Sequence, residues 1–243
     1  MGILSSVFFF VFVICKTTTP VPVSRLEGLT KTDDKGYVDY GSLVSFVGSV
    51  SEQNKQDVLY STLLAQLAAD RKFDRARDYV NWYKFYIHIL ENIGYNLPHS
   101  GSFIDYAPTK STFEISNAII ESIQGLSKSS VEVIKETIDA MKHSILADRE
   151  LFATHSVSGN SANFQMVLVK IDKNDHVNVV VVGFYFEAAN VSKEFLFVPY
   201  KSTDVKLKIS ANIFELNEEV YARVRPTIAQ KLGARVKSYI KML

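Results

Sequence analysis

The sequence predicts an α/β fold, with helices packed on one or both faces of a mostly antiparallel sheet. Three observations predict it. Apolar residues recur at helical spacing through most of residues 41–150. Beyond Asn163 the period shifts from 3.6 towards 2. The links between the later strands are too short for parallel crossovers, which favours antiparallel pairing. Neither the helix stripes nor the sheet can bury its apolar side alone, so the two are expected to pack together. No long flexible linker separates them, and residues 26–243 read as one domain.

The first 25 residues stand apart. Val7 to Cys15 is an unbroken apolar run. Its length suits a signal peptide, but no Lys or Arg precedes it and no small-x-small cleavage site follows. It is short for a transmembrane helix, which needs ~20 residues. Its Val, Ile and Phe residues suit a buried strand equally well. Gly2 with Ser6 fits the spacing of an acylation signal, a pattern common by chance. Thr17 to Pro22 reads as an extended connector.

Leu26 to Tyr40 is polar with turn signals, and in the helical block that follows, over residues 41–150, Val44, Val47 and Val50 suggest a first short helix. Leu59, Leu63 and Leu67 form a stripe. Phe73 to Ile93 predicts a second long helix, with Tyr79, Trp82, Tyr86, Leu90 and Ile93 on one face. A short helix is expected over Phe113–Ile123. Another is expected over Ser130–Glu150, with Ile134, Ile138, Met141 and Ile145 as its stripe and Ser130 as N-cap.

The sheet block covers residues 164–213. Phe164 to Ile171 reads as a strand and Asp172 to Asp175 as its turn. Val177 to Glu187 is a nearly continuous apolar strand, as expected when both faces are covered. Glu194 to Val198 reads as a further strand. Val205 to Ile213 alternates, with Val205, Leu207, Ile209, Ala211 and Ile213 on one side and Lys206, Lys208, Ser210 and Asn212 on the other. A last helix is expected over residues 226–242, opened by Pro226, which favours the first turn.

Composition excludes several functions. With 47% hydrophobic and 22% charged residues, 243 residues are enough for a sizeable core and too apolar for disorder throughout. A net charge of +1 argues against a nucleic-acid coat. From Leu151 onward there are 12 basic and 8 acidic residues, against 15 and 18 before, so the sheet-bearing part is mildly basic. The single cysteine, Cys15, forms no internal disulfide, and nothing around it supports a nucleophile. The five histidines form no zinc signature, and no phosphate-binding glycine loop or nucleophile elbow is present. No cofactor and no metal is implied. Asp172, Asn174 and Asp175 resemble part of a calcium loop, but a hairpin turn is the better reading, leaving Asp172 and Asp175 as weak cation candidates.

Arg71, Arg75 and Arg77 read as a solvated charge run. Trp82 and Tyr86 read as core, and Tyr79 and Tyr83 as half exposed, with an aromatic surface for headgroups or sugars as the less favoured alternative. Asn190-Val191-Ser192 is a glycosylation acceptor only on a secretory route.

The alternating strands also suit rearrangement into a closed, membrane-spanning sheet. One face would meet lipid and the other water. A spanning strand needs ~9–11 residues, which Val177–Glu187 and Val205–Ile213 supply.

The stretch FQMVLVKIDKNDHVNVVVVGFYFEAANVSKEFLFVPYKSTDVKLKISANIFELN, Phe164 to Asn217, resembles the sheet region of the bacterial Cyt-type cytolytic δ-endotoxins. The matching features are a strand ending in an acidic turn, a long apolar strand ending at Phe186-Glu187, the Phe195–Val198 segment and the alternating Val205–Lys208 segment. The resemblance implies a three-layer fold, a central mostly antiparallel sheet wrapped by helices. It also implies membrane binding and permeabilisation without enzymatic chemistry, through sheet insertion and self-association on lipid. The inserting residues would be Phe164, Met166, Leu168, Val179, Val181, Phe184, Phe186, Val205, Leu207, Ile209 and Ile213, with Lys206 and Lys208 on the polar side.

A fungal cardiotoxic cytolysin and a bacterial virulence factor of insect pathogens are similar by fold, and the latter need not form pores. Release from the producing cell, or storage before release as a crystalline or dimeric protoxin, is the expected history. Val7–Ile14 would then be the strand that pairs between subunits. A non-lytic lipid-binding virulence factor and a self-assembling storage protein are the alternatives.

Overall fold

The computed structural model describes residues 35–99 and 101–243. The apolar run at Val7–Cys15, its proposed dimer contact and Cys15 itself lie outside them.

The chain opens with a hairpin, β1 (Lys35–Asp39) and β2 (Ser42–Val47). Sequence patterning predicts turn and helix here. Valines at three-residue spacing imitate a helix stripe, but these strands are buried on both faces, which erases the period-two signal. Next comes α1 (Glu52–Lys72), capped by Ser51, whose hydroxyl accepts the Asn54 amide. Then α2 (Tyr79–Asn92) begins six residues later than the periodicity suggests. Three short strands, β3 (Tyr95–His99), β4 (Ile104–Asp105) and β5 (Thr112–Glu114), lead to α3 (Ile115–Ser122).

The helix expected over 130–150 is two helices, α4 (Lys128–His143) and α5 (Leu146–Ser156). Ser127, not Ser130, caps α4, and it accepts the Ser130 amide. The break at Ser144 leaves Ile145 outside the stripe and in solvent.

After β6 (Val157–Ser158) come two long neighbouring strands, β7 (Ser161–Ile171) and β8 (Val177–Ala188). The expected strand at Glu194–Val198 is instead a series of turns. It pushes Phe195 and Leu196 into the core, while the Leu196 carbonyl accepts the Ser116 amide. Only β9 (Pro199–Lys201) is extended there, and it pairs with β5 in a separate two-stranded sheet.

Then come β10 (Val205–Leu216), α6 (Glu218–Leu232), α7 (Arg235–Tyr239) and β11 (Ile240–Met242). Pro226 lies inside α6, not at its start. It removes one backbone hydrogen bond, but it sits on the exposed side. The Asn217 cap, the acidic first turn and the buried face of Tyr221, Val224, Ile228 and Leu232 outweigh it.

The main sheet runs β11-β1-β2-β7-β8-β10-β3, with β4 also on β10 and β6 on β7. All pairs are antiparallel except β2 with β7, which run parallel from Ser42 beside Gln165 to Val47 beside Lys170. Sequence patterning does not reveal this pair, because the valines of β2 imitate a helix stripe; its crossover is the helical block itself. The sheet has helices on both faces. The front core joins α3, α4, α5 and Phe195 to Phe164, Met166, Leu168, Phe184, Phe186, Leu207 and Ile209. The back core joins α1, α2, α6 and α7 to Val167, Val169, Val179, Val181, Phe214 and Leu216. The architecture is therefore three-layered α/β.

One ion pair fixes α6 to α1. The Arg225 Nε and Nη2 donate to the two Asp57 oxygens at 2.8 and 2.6 Å, and the Tyr221 hydroxyl donates to the Asp57 carbonyl. Asp57 is fully buried, so Arg225→Ala strands a carboxylate in the core. We expect a loss of about 3 kcal/mol in urea unfolding, the low end for a broken buried pair because Arg225 is partly exposed.

Candidate functional site

The three long strands β7, β8 and β10 form an unbroken meander. Pairing runs from Ser161 beside Glu187 to Ile171 beside Val177, and from Val205 beside Ala188 to Leu216 beside Val177. At about 3.4 Å per residue, strands of 11 and 12 residues exceed a hydrocarbon core of about 30 Å.

The predicted insertion residues divide between the two faces. Phe164, Met166, Leu168, Phe184, Phe186, Leu207 and Ile209 lie together in the front core, with Val205 packed at its margin. Phe164 stacks on Phe184 at 5.0 Å, and Phe152 of α5 meets Phe164 edge-on. Ile213 lies on the same side of β10 but is 39% exposed. Val179 and Val181 lie on the back and belong to the other core. Period two forbids one flat surface from holding both sets.

The back of the meander changes character along its length. One half is apolar, with Val167, Val179, Val181 and Phe214. The other half carries Asn163, Gln165, Gly183, Tyr185, Ser210 and Asn212 beside Lys206 and Lys208. Neither lysine stands alone. Lys206 Nζ lies 3.5 Å from Glu187, and Lys208 Nζ donates to Asp105 at 2.5 Å. Asp105 raises the Lys208 pKa through that bond. Gly183 is required by contact, because a Cβ there would lie 2.6 Å from the Tyr83 ring. The Tyr83 hydroxyl accepts from Asn212 Nδ2 at 2.9 Å, and burial raises its pKa. Tyr83 is therefore core, although helical spacing left it half exposed. Trp82 and Tyr86 are core as expected.

A polar cluster closes the end of the sheet at the β1–β2 turn. Its centre is Arg75, read from sequence as part of a solvated run but only 10% exposed. Its Nε donates to Asp70 at 3.2 Å, its Nη2 to Gln66 at 2.9 Å and its Nη1 to the His155 carbonyl. The guanidinium carbon lies 4.1 Å from the Trp82 ring, and the Trp82 indole donates to Asp70 at 2.6 Å. Asn163 Nδ2 donates to the Arg75 carbonyl. Burial lowers the Arg75 pKa and Asp70 opposes the shift. A Cβ at Gly41 would overlap Arg75 Nη1 and the His155 carbonyl. Tyr40, in the left-handed region at φ 58, is held by stacking on His155 at 3.7 Å. A cavity of about 290 Å³ opens here, lined by Tyr40, Asp70, Asp74, Arg75, His155 and Ser156 among others.

Asp39 and His155 in this cluster are also shifted by burial. Asp39 is wholly buried. One oxygen meets the Thr62 hydroxyl, and Oδ1 has no hydrogen-bond partner among the described residues. Burial pushes its pKa up to about 8, against the opposing effects of Thr62 and Arg75. Burial, helped by Arg75, pushes His155 down to about 4. Composition gives no hint of either group.

The Asp172 turn holds no special geometry. Its carboxylate accepts the amides of Asn174 and His176, which lowers its pKa. Asp175, at φ 63, completes the turn. Among the described residues no group of three or more His, Cys, Asp or Glu is placed to hold a metal.

No protein-family model matches the sequence, and no curated protein matches it. Among solved structures the chain is similar to the Evf virulence factor, at 10% identity over 92% of this chain and 88% of that one, with a TM-score of 0.41. It is similar to a delta-endotoxin at 16% identity, over 82% and 90%, with a TM-score of 0.39. It is also similar to the activated Cyt2Ba monomer from Bacillus thuringiensis subsp. israelensis, at 12% identity over 73% and 96%, with a TM-score of 0.39.

The cluster gives two testable outcomes. Gly41→Ala displaces Arg75 and is expected to cost more than the ~1 kcal/mol centre of ordinary substitutions, read by thermal or urea unfolding. The second concerns pH. Between pH 4 and 6.5 the folded state keeps a proton on Asp39 that the unfolded chain has lost, while it lacks one on His155 that the unfolded chain holds. The two slopes oppose each other there. Between 6.5 and 8 the Asp39 effect outweighs that of His155, and folded protein holds the extra proton on Asp39. Stability therefore falls as pH rises through that window, by no more than the one-proton limit of about 1.4 kcal/mol per unit. Urea titrations at several pH values should show this slope in the wild type and its loss in Asp39→Asn.

Proposed function

We propose that this protein is a membrane-acting toxin or virulence factor that permeabilises lipid bilayers without catalysing a reaction. The observation that carries the reading is the β7–β8–β10 meander. Its strands are long enough to span, their ladder is continuous, and the front carries a coherent apolar stripe from Phe164 to Ile209. The resemblance of Phe164–Asn217 to the Cyt-type sheet region points the same way. Among the described residues no helix is long and apolar enough to cross a membrane.

In this reading α3, α4 and α5 leave the front face at a bilayer. The front residues then meet lipid. Lys206 and Lys208, with their carboxylate partners, stay on the water side. Val179 and Val181 also lie on that back side, so α1 and α2 keep them covered or further copies of the chain pack against them. Copies self-associate on the lipid, because a three-stranded meander has edges that only neighbours can pair. The chain is released from the producing cell before it acts.

The test is dye release. Wild-type protein should empty phosphatidylcholine vesicles of calcein and form oligomers on them. Ser45 of β2 donates to Thr137 of α4 at 2.8 Å, so cysteines at these two positions, with Cys15→Ser, should staple the front layer to the sheet. Release should fall to background in the oxidised Ser45→Cys/Thr137→Cys protein and return with reductant. Binding without release by the wild type would favour a non-lytic lipid-binding factor. Large assemblies without lipid affinity would favour a storage protein.

A further inference from the structure

Two aliphatic side chains stand in water at the corner between α4 and α5. Ile145 is 68% exposed and Leu146 is 58% exposed. Among the described residues only Ile104 is a large hydrophobic exposed to a similar degree, and it lies elsewhere, on β4. Local structure does not call for aliphatics here. Ile145 occupies the N-cap of α5, where an oxygen-bearing side chain is favoured, and it makes no capping bond.

The corner is firmly held from below. The Ser144 hydroxyl donates to the Met141 carbonyl at 2.9 Å, and Arg149 Nη1 donates to the Lys142 carbonyl at 2.8 Å. Arg149 and Lys193 tie α5 to the turns that follow β8, through Glu194 and Glu150. Beside the aliphatic pair, Lys142 is exposed, and no carboxylate among the described residues pairs with it; its ammonium lies 5.8 Å from the Phe197 ring. His143 sits next to it, paired with Asp139.

Two adjacent side chains that are each more than half exposed do not enclose a small molecule. They are also far smaller than the roughly 800 Å² per partner of a stable protein interface. A fluid bilayer suits them. Short aliphatics enter the acyl boundary while a flanking ammonium stays at the phosphate level.

We propose that the Ile145–Leu146 corner, with Lys142 beside it, makes the first contact with a phospholipid bilayer. The inference rests on the membrane-acting reading and deepens it. The corner joins two of the helices that cover the front of the meander, so anchoring there places lipid against the layer that must leave.

The experiment uses the full chain with vesicles of phosphatidylcholine, alone and mixed with phosphatidylserine. Ile145→Ser/Leu146→Ser should weaken vesicle sedimentation by at least about tenfold, as expected for removing two aliphatic anchors. Its thermal midpoint should match the wild type, because both residues are already in water. Lys142→Glu should weaken binding most on the phosphatidylserine mixture. In a separate variant, Ile145→Trp, the indole should shift blue on vesicles and be quenched by brominated acyl chains. The native Trp82 is fully buried and provides a constant background.

If the double-serine variant binds like the wild type and the Ile145→Trp indole does not shift, the corner is overturned and the membrane reading stands. If the wild type binds no vesicle, both are overturned. If the serine changes instead abolish a dimer formed without lipid, the occupant is a second copy and the lipid assignment is wrong.

Discussion

The buried guanidinium of Arg75 is the contact around which the rest of the molecule closes. A three-layer fold has to join its outer layers past the end of the sheet. Here one side chain reaches Gln66 and Asp70 of the back layer, the terminal carbonyl region of α5 in the front layer and the face of Trp82. Asn163 of β7 holds its backbone. A charge so little exposed is tolerable only because every edge of the fork is occupied. That demand propagates outward. It leaves no room for a side chain at Gly41, and it fixes the carbonyl of His155, whose ring in turn stacks on the left-handed Tyr40.

The same constraint explains why polar groups crowd this end of the sheet while its far end is apolar. Gln66 accepts from Gly41 and donates to the Asp39 carbonyl, and Gln165 links Asn163 to Ser42. Asp39 sits at the margin of this network with one oxygen unpartnered among the described residues, so burial favours its acid form over the carboxylate. Burial has made a surface-type residue into a proton-binding part of the core. The back of the meander thus has a polar, hydrogen-bonded half near Arg75 and a dry half beneath α1. The front is dry throughout Phe164 to Ile209. A sheet with this asymmetry has one face that is apolar along its length and another that is polar over half of it.

Much of the fold was legible. Leu59, Leu63, Ile134, Ile138 and Met141 are buried as their spacing requires, and β10 alternates in burial as the sequence indicates up to Ile209, beyond which Ser210 and Asn212 are buried and Ala211 and Ile213 exposed. The misses share a cause. Val44 and Val47 imitate a helix stripe because a strand covered on both faces loses its period. Phe195 to Phe197 imitate a strand because aromatics favour sheet, yet Phe195 and Leu196 serve as a plug between layers. Pro226 looks like a start signal because propensity is local, whereas α6 is held by its buried face and by Arg225 on Asp57. The candidate site was legible as a set of strands but not as a surface. Val179 and Val181 have the composition of their neighbours and point the other way.

By itself the sequence determined which residues are apolar and at what period, and hence that helices must cover an antiparallel meander. Those are properties of local spacing, and every chain carries them in its text. Tertiary structure alone decided that β2 joins the sheet in parallel, that Arg75 is internal and that Asp39 is buried with its pKa raised. It also put Ile145 and Leu146 in water, although a continued helix would have buried the first of them. Each of these depends on what lies across the fold, tens of residues away in sequence. Desolvation and close contact act between neighbours in space, and spacing along the chain does not record them.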